Sequence, residues 1–320
     1  MRSQSLERDW TKGNIFRNLL SLSWPMIVSQ SLNMVGPTID MIWVGRLGAA
    51  SIAGVGVSAM TVMMANSIMM GLGMGARAMV SRAMGAGDIE GAQHAARQAF
   101  VVACGYGVVI VPVGIFIAEP LLVAMGLEPD VVAEGAAYMR LMFVGAVFMA
   151  FRSIVEGIMQ ASGDAVTPMR IAVLFRIIQV VLCPFLIFGW WIFPQMGVRG
   201  AAAADIFAQI IGLSIGLTIL FSGKSRLRLT LRDFSFDLTT IWRIVKIGIP
   251  SSVMGMQRSL GNMVLMWIIA PFGTISVAAH TLCQRLEMFI LMPGLGLGMG
   301  SGVLAGQNLG AGQPDRAEKG

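Results

Sequence analysis

The sequence predicts an all-α polytopic membrane protein: a six-helix N-terminal lobe followed by the first two helices of a second lobe that repeats it in parallel. Three observations predict this. Hydrophobic residues make up 56% of the chain and charged residues only 12%, against a charged share of about 25% in soluble domains. The apolar residues fall in eight segments, at about 15–44, 51–83, 93–118, 131–160, 168–189, 198–222, 239–270 and 275–305. Each is long enough to cross about 30 Å of hydrocarbon as a helix. The third observation is a repeat without gaps at an offset of 225 positions. Pro25 falls on Pro250, Gly48 on Gly273, Ala53 on Ala278, GLGMG at 71–75 on GLGMG at 296–300, and GAG at 85–87 on GAG at 310–312.

Spanning segments must satisfy their own backbone hydrogen bonds, so all eight read as helices. A β-barrel would need short alternating segments, and none is present. Residues 1–14 form a charged N-terminal tail with no apolar core or cleavage site, hence no secretory signal. The first segment is interrupted by Pro25 and Pro37 and carries Asp40, a carboxylate expensive to keep in a membrane and therefore a candidate functional group. At 100° per residue, Ser29, Asn33 and Gly36 lie within about 40° of Asp40 on one helix face. Pro37 also frees a backbone carbonyl close by. The second segment carries GLGMG, whose small residues suit close helix packing. A nucleotide-binding glycine loop would need a preceding strand.

In the fourth segment Arg152 and Glu156 stand one turn apart, which reads as a solvated or mutually neutralised pair. The fifth carries Gln179 and Cys183 and the sixth Asp205. Counting about 1.5 Å per residue puts Asp40 about 8 Å and Asp205 about 10 Å from the same membrane face, with Gln179 and Cys183 in a similar layer. Residues 15–222 are the first lobe, 223–238 a basic linker, and 239–320 a partial second lobe. Asp40 falls on Leu265, so the second copy lacks the acid. An Arg258–Glu287 ion pair lining a water-filled cavity is the simplest account of the charges there, which include Arg285. Because the second copy stops after two helices, the chain reads as a truncated piece of a protein of about twelve helices. On that reading Gly296, Gly298 and Gly300 sit on a poorly covered face, and the chain alone exports nothing.

The net charge of +6 lies in loops. Arg2, Arg8, Lys12, Arg17, Arg77, Arg82, Arg97, Lys224, Arg226, Arg228 and Arg232 mark one side. The other has Arg46, Arg199, Glu119, Glu128 and Asp130. Basic loops face the cytoplasm, so the N-terminus is cytoplasmic and nucleic acid is not a partner. Cys104, Cys183 and Cys283 lie in apolar runs without metal-ligand spacing, and His94 and His280 have no ligand companions. No metal site, cofactor or catalytic spacing is expected. A membrane-embedded enzyme using Glu156, Asp205 or His280 is thereby disfavoured.

Several motifs together resemble the multidrug and toxic compound extrusion (MATE) family. They are Trp24–Pro25, D-x-x-x-V-G-R-L-G at 40–48, GAGD at 85–88, ASGDAVTPM at 161–169, CPFLIFG at 183–189, GVRGAAAAD at 197–205, APFGTISVAAH at 270–280 and GQNLGAG at 306–312. The resemblance implies two six-helix lobes around a cleft. It also implies export of amphipathic or cationic organic compounds, coupled to H⁺ or Na⁺, by alternating access. In this reading the protein is a monomer of the cell's inner (plasma) membrane and its partners are the substrate and the lipid bilayer. Asp40, Asp205, Gln179 and Cys183 are the cation-coupling candidates. Ser29, Asn33, Pro37, Arg258 and Glu287 are the cleft-lining ones. The chain departs from the family where many relatives have Asn and, four residues on, Asp in the fifth helix; here stand Gln179 and Cys183. Asp205 replaces a small polar residue, and Arg258 stands where some relatives have Glu. The alternatives are a flippase for a lipid-linked precursor, whose cleft would use several arginines such as Arg152 and Arg176, and an inactive fragment.

Overall fold

The computed structural model describes residues 9–191, 193–230, 234–272 and 274–319. Arg2, Arg8, Arg232 and Gly273 lie outside the described residues, as do the side chains of Ala278 and Arg285. Every regular element described is helical: α1 (Ile15–Val44), α2 (Ala49–Gly85), α3 (Ile89–Ala124), α4 (Pro129–Ala161), α5 (Val166–Phe188), α6 (Val198–Phe221), α7 (Leu238–Ile269), α8 (Thr274–Gly310) and the short α9 (Pro314–Glu318), with a 3₁₀ turn at Ala270–Phe272. The eight long helices fall on the eight apolar segments. Six helices among the described residues are long and apolar enough to cross a membrane. Helices α1 and α7 fall short in hydropathy, because each exchanges apolar residues for polar ones: Ser29, Gln30, Asn33 and Asp40 in α1, and Arg243, Lys246, Gln257 and Arg258 in α7.

Local chemistry sets the ends. Asn14 caps α1 by accepting from Arg17 N at 3.2 Å, and Asp88 caps α3 by accepting from Gly91 N at 2.8 Å. Such side-chain oxygens satisfy amides that the first turn leaves free. Helix α5 ends at Gly189 with φ 70°, a left-handed conformation that glycine adopts without strain. One end of the bundle gathers Arg17, Arg82, Arg97, Lys224, Arg226 and Arg228, and is the basic end below. Asp40 lies toward the far end.

Contacts between α1–α2 and α7–α8 carry the repeat into three dimensions. A Cβ added to Gly71 of α2 would strike Ser252 of α7, and one on Gly296 of α8 would strike Ile27 of α1. Gly296 is the repeat counterpart of Gly71, and Ser252 of Ile27, so the two contacts are one contact made twice. Gly75 against Ile244 and Gly248, and Gly300 against Ser23, repeat the pattern one turn on. At the basic end a Cβ on Gly306 would stand 2.2 Å from Ser81 Oγ. Ser81 and Gly306 are counterparts of each other. A residue that touches its own counterpart lies on a two-fold axis, so a pseudo-two-fold relates the helix pairs and runs between α2 and α8. The repeat is therefore parallel. The glycines of both GLGMG motifs permit these close approaches.

One expectation is corrected here. Gly296 and Gly300 are not poorly covered, since α1 packs directly on both; only Gly298 faces open space. The reason is that α8 meets the first lobe itself, through α1, and does not depend on later helices for cover at these positions.

The linker is also packed. Gln98 Nε2 of α3 donates to Ser235 O at 2.6 Å. Asp237 caps α7, accepting from Thr239 N at 2.9 Å, Thr240 N at 3.2 Å and Thr240 Oγ1 at 2.5 Å, while His94 Nε2 lies 3.1 Å away. The Thr240 hydroxyl first, then His94, holds the Asp237 carboxyl well below the usual carboxylate range. A carboxylate with a depressed folded value stabilises the fold above its unfolded value of about 3.9 and loses that effect as pH falls through the folded one. Asp237→Ala is therefore expected to lower the melting temperature at pH 7 and to shrink the loss of stability below pH ~4. Thermal melts across that range check this, and equal acid limbs in both proteins would contradict it.

Candidate functional site

The first lobe holds a connected set of buried and half-buried charged and amide side chains from α1, α4, α5 and α6. Asp40 projects from α1 onto α5. Gln179 Nε2 lies 2.7 and 2.8 Å from its two carboxylate oxygens, and Cys183 Sγ donates to Oδ1 at 3.2 Å. Gln179 and Cys183 are one turn apart on one face of α5, so both reach the same carboxylate. On its other side Gln179 Oε1 accepts from Arg176 Nη1 at 2.7 Å. The amide is thus oriented at both ends, with its oxygen to a cation and its nitrogen to an anion. Gly36, one turn before Asp40, makes the approach possible, because a Cβ there would run into the Arg176 guanidinium.

Asp205 of α6 forms the other half. Gln209, one turn on, donates to its Oδ2 at 3.4 Å and accepts from Arg152 Nε of α4 at 2.5 Å. Arg152 also pairs with Glu156. The ring of Phe175 joins the halves, with Arg152 Cζ 4.6 Å and Arg176 Cζ 4.8 Å from its centroid. Guanidinium groups over an aromatic face are attracted to its quadrupole. Asp40 and Asp205 lie within electrostatic reach of each other, and Arg176 within reach of both. Arg77 of α2 lies within electrostatic reach of Glu156. Three guanidinium groups thus stand among three carboxyl groups.

The structure therefore brings together Asp40, Gln179, Cys183 and Asp205, as rise counting along three helices suggests. It also adds residues that the sequence reading does not name. Tyr138 of α4 is buried within electrostatic reach of Asp40, Asp205 and Cys183. Its signal is legible in retrospect, for it is one of only two tyrosines in the chain. Gln209 was equally accessible as the residue one helical turn from Asp205. The Arg152–Glu156 pair is mutually neutralised but not solvated. Its side chains are 9% and 16% exposed, because α6 and Phe175 cover them.

The remaining candidates are distributed differently. Ser29 is buried and donates to Pro25 O at 3.0 Å. Asn33 is exposed, with Nδ2 donating to Gln30 Oε1 at 3.1 Å, and Pro37 is exposed beside it. Arg258 and Glu287 are both exposed, and among the described residues no ion pair joins them. The expected pair is therefore not formed. His94 faces Asp237 in the linker. The Nε2 of His280 is buried without a hydrogen-bond partner among the described residues.

Comparisons with known proteins bear on this arrangement. The family model MatE matches residues 25–185 and 250–319. The two stretches begin at Pro25 and Pro250, the same pair on which the internal repeat aligns. The probable multidrug resistance protein YpnP of Bacillus subtilis is 28% identical over 96% of this chain and 68% of its own length. The FAD transporter of Shewanella oneidensis is 28% identical over 95% of the chain and 68% of its own. Among solved structures, a MOP superfamily transporter from Pyrococcus furiosus, described as having a binding pocket of reverse polarity, superposes with a TM-score of 0.91. It is 27% identical, over 99% of this chain and 69% of that one. The chain thus spans about two thirds of the length of these relatives. They are transporters and not enzymes, and the long apolar helices are those of a multi-pass membrane protein. By the family match across both copies of its repeat, the chain belongs to the MATE family of efflux transporters.

Proposed function

We propose that this chain supplies the first lobe, and α7–α8 of the second, of an antiporter. It exchanges H⁺ or Na⁺ for amphipathic or cationic organic compounds by alternating access, and operates in the plasma membrane with its N-terminus in the cytoplasm. The observation that carries this reading is Asp40, gripped by Gln179 and Cys183 inside the lobe with Asp205 in electrostatic reach. Two carboxyl groups in one poorly hydrated pocket favour uptake of a positive charge. Asp40, Asp205 and the Asn33 carbonyl freed by Pro37 supply oxygen donors for either ion. Gln179 and Arg176 hold the carboxylate in place. Cytoplasmic orientation follows from the basic end.

A second reading is favoured by one observation: Arg152 and Arg176 are both buried, each with its guanidinium over the Phe175 ring. A lobe carrying two such arginines suits an anionic cargo, such as a lipid-linked precursor. The test is efflux from vesicles carrying the completed antiporter, driven in turn by an inward H⁺ and an inward Na⁺ gradient, with a fluorescent organic cation and a fluorescent organic anion as cargo. Cation efflux under one gradient is expected. Movement of the anion alone would transfer the protein to the second reading, and efflux indifferent to both gradients would refute coupling.

A further inference from the structure

A charged pair sits on the outer wall of the first lobe, away from the Asp40 cluster. Arg140 Nη2 of α4 lies 2.7 Å from Glu119 Oε2 of α3, and its Nε donates to Ile115 O at 3.4 Å. The side chains are 44% and 56% exposed. They line a groove of about 520 Å³ with Phe116, Pro120 and Val123. The surrounding surface is apolar: Phe116 is 76% exposed, and Val108 and Val109 continue the bare face along α3. The most apolar 18 residues of this helix have a mean hydropathy of 2.5, so that face meets lipid.

An ion pair on a lipid-facing wall is costly unless polar groups meet it. Glu119 lies five residues before the end of α3 at Ala124, about 8 Å by helical rise. The headgroup layer on each side of a bilayer is about 5–8 Å thick. The pair therefore stands where headgroup gives way to acyl chain. Its unused valences are of two kinds. Arg140 has guanidinium N–H groups beyond the two already committed, and Glu119 has a second carboxylate oxygen.

We propose that the Arg140–Glu119 groove is a binding site for a zwitterionic phospholipid with a primary ammonium, phosphatidylethanolamine. The phosphate accepts from Arg140, the ammonium donates to Glu119, and an acyl chain lies along Phe116 and Val109 toward the bilayer centre. Glu119 repels a lipid whose headgroup is purely anionic. A trimethylammonium headgroup has no N–H to give Glu119. This site does not depend on the transport reading.

Native mass spectrometry of the purified protein, offered equal amounts of phosphatidylethanolamine, phosphatidylcholine and phosphatidylglycerol with the same acyl chains, tests it. Phosphatidylethanolamine is expected to be retained about tenfold over each of the others, the ratio that one charge-assisted hydrogen bond confers. Glu119→Gln should shift retention to phosphatidylglycerol, and Arg140→Gln should lose selective retention altogether. Circular dichroism and a single elution peak establish that each variant is folded. Where one is not, the headgroup ranking of the unmodified protein decides alone. Equal retention of all three lipids, or folded variants that keep the original ranking, would overturn the assignment.

Discussion

In the completed antiporter, replacing Asp40 by Asn is expected to reduce gradient-driven efflux to the rate of protein-free vesicles while leaving the helical fold in place. The two side chains are nearly equal in size, so Gly36, Cys183 and Gln179 keep their positions. What changes is the chemistry of the acceptor. An ionised carboxylate takes the Gln179 amide on both oxygens and the Cys183 thiol on one. An Asn keeps one acceptor and turns an N–H₂ toward a partner that is itself a donor. Losing such a bond to a charged group costs about 1.5–3 kcal/mol, less than the ~5–15 kcal/mol that holds a folded domain together. An amide binds neither H⁺ nor Na⁺ in the working range, so the group whose charge answers to the gradient is gone. Asp205→Asn should slow efflux and not abolish it, since Asp205 meets Asp40 only through space. Cys183→Asp combined with Asp205→Thr should regain transport that Asp205→Thr alone loses, because it returns the second acid to a position already bonded to Asp40. Efflux of a fluorescent cation is the readout. Asp40→Asn vesicles that pump at the parent rate would place the coupling acid elsewhere.

Much of this arrangement is legible in the sequence, for identifiable reasons. Long apolar runs can only be helices in a bilayer, so α1–α8 fall where hydropathy puts them. The repeat survives as glycines because each marks a backbone contact with no room for a Cβ, as Gly71 and Gly296 do. Depth is legible too, since rise per residue is constant, and it placed Asp40, Gln179, Cys183 and Asp205 in one layer. Azimuth is less so. Asn33 shares the face of Asp40 by periodicity yet is exposed and bonds along its own helix. Periodicity states where a side chain points and not how near the next helix comes. Long side chains are the other gap. Arg152 and Arg176 reach Phe175 from different helices, and nothing in their spacing shows that one ring receives both.

A pair of cysteines on the pseudo-two-fold should convert the completed antiporter from active to locked and back. In the structure α1–α2 and α7–α8 meet closely near the basic end, and Ser81 meets its own counterpart Gly306 there. A Cβ on Gly306 would lie 3.0 Å from the Ser81 Cβ. Bridged cysteines hold their Cβ atoms about 3.5–4.5 Å apart, so Ser81→Cys with Gly306→Cys needs only a small outward relaxation. Cys104 and Cys283 are exposed and would be replaced by Ser; Cys183 is buried and stays. If the proposed export works by tilting the two helix pairs against each other across this axis, the far end and the basic end open in turn, and the Ser81–Gly306 contact must separate once per cycle. The cross-link forbids that. Mild oxidation is therefore expected to reduce efflux to background, and dithiothreitol to restore it. The single variants Ser81→Cys and Gly306→Cys should be insensitive to both treatments. Efflux that continues unchanged in fully cross-linked protein would mean that this contact stays closed throughout transport, and that the moving parts lie elsewhere in the first lobe.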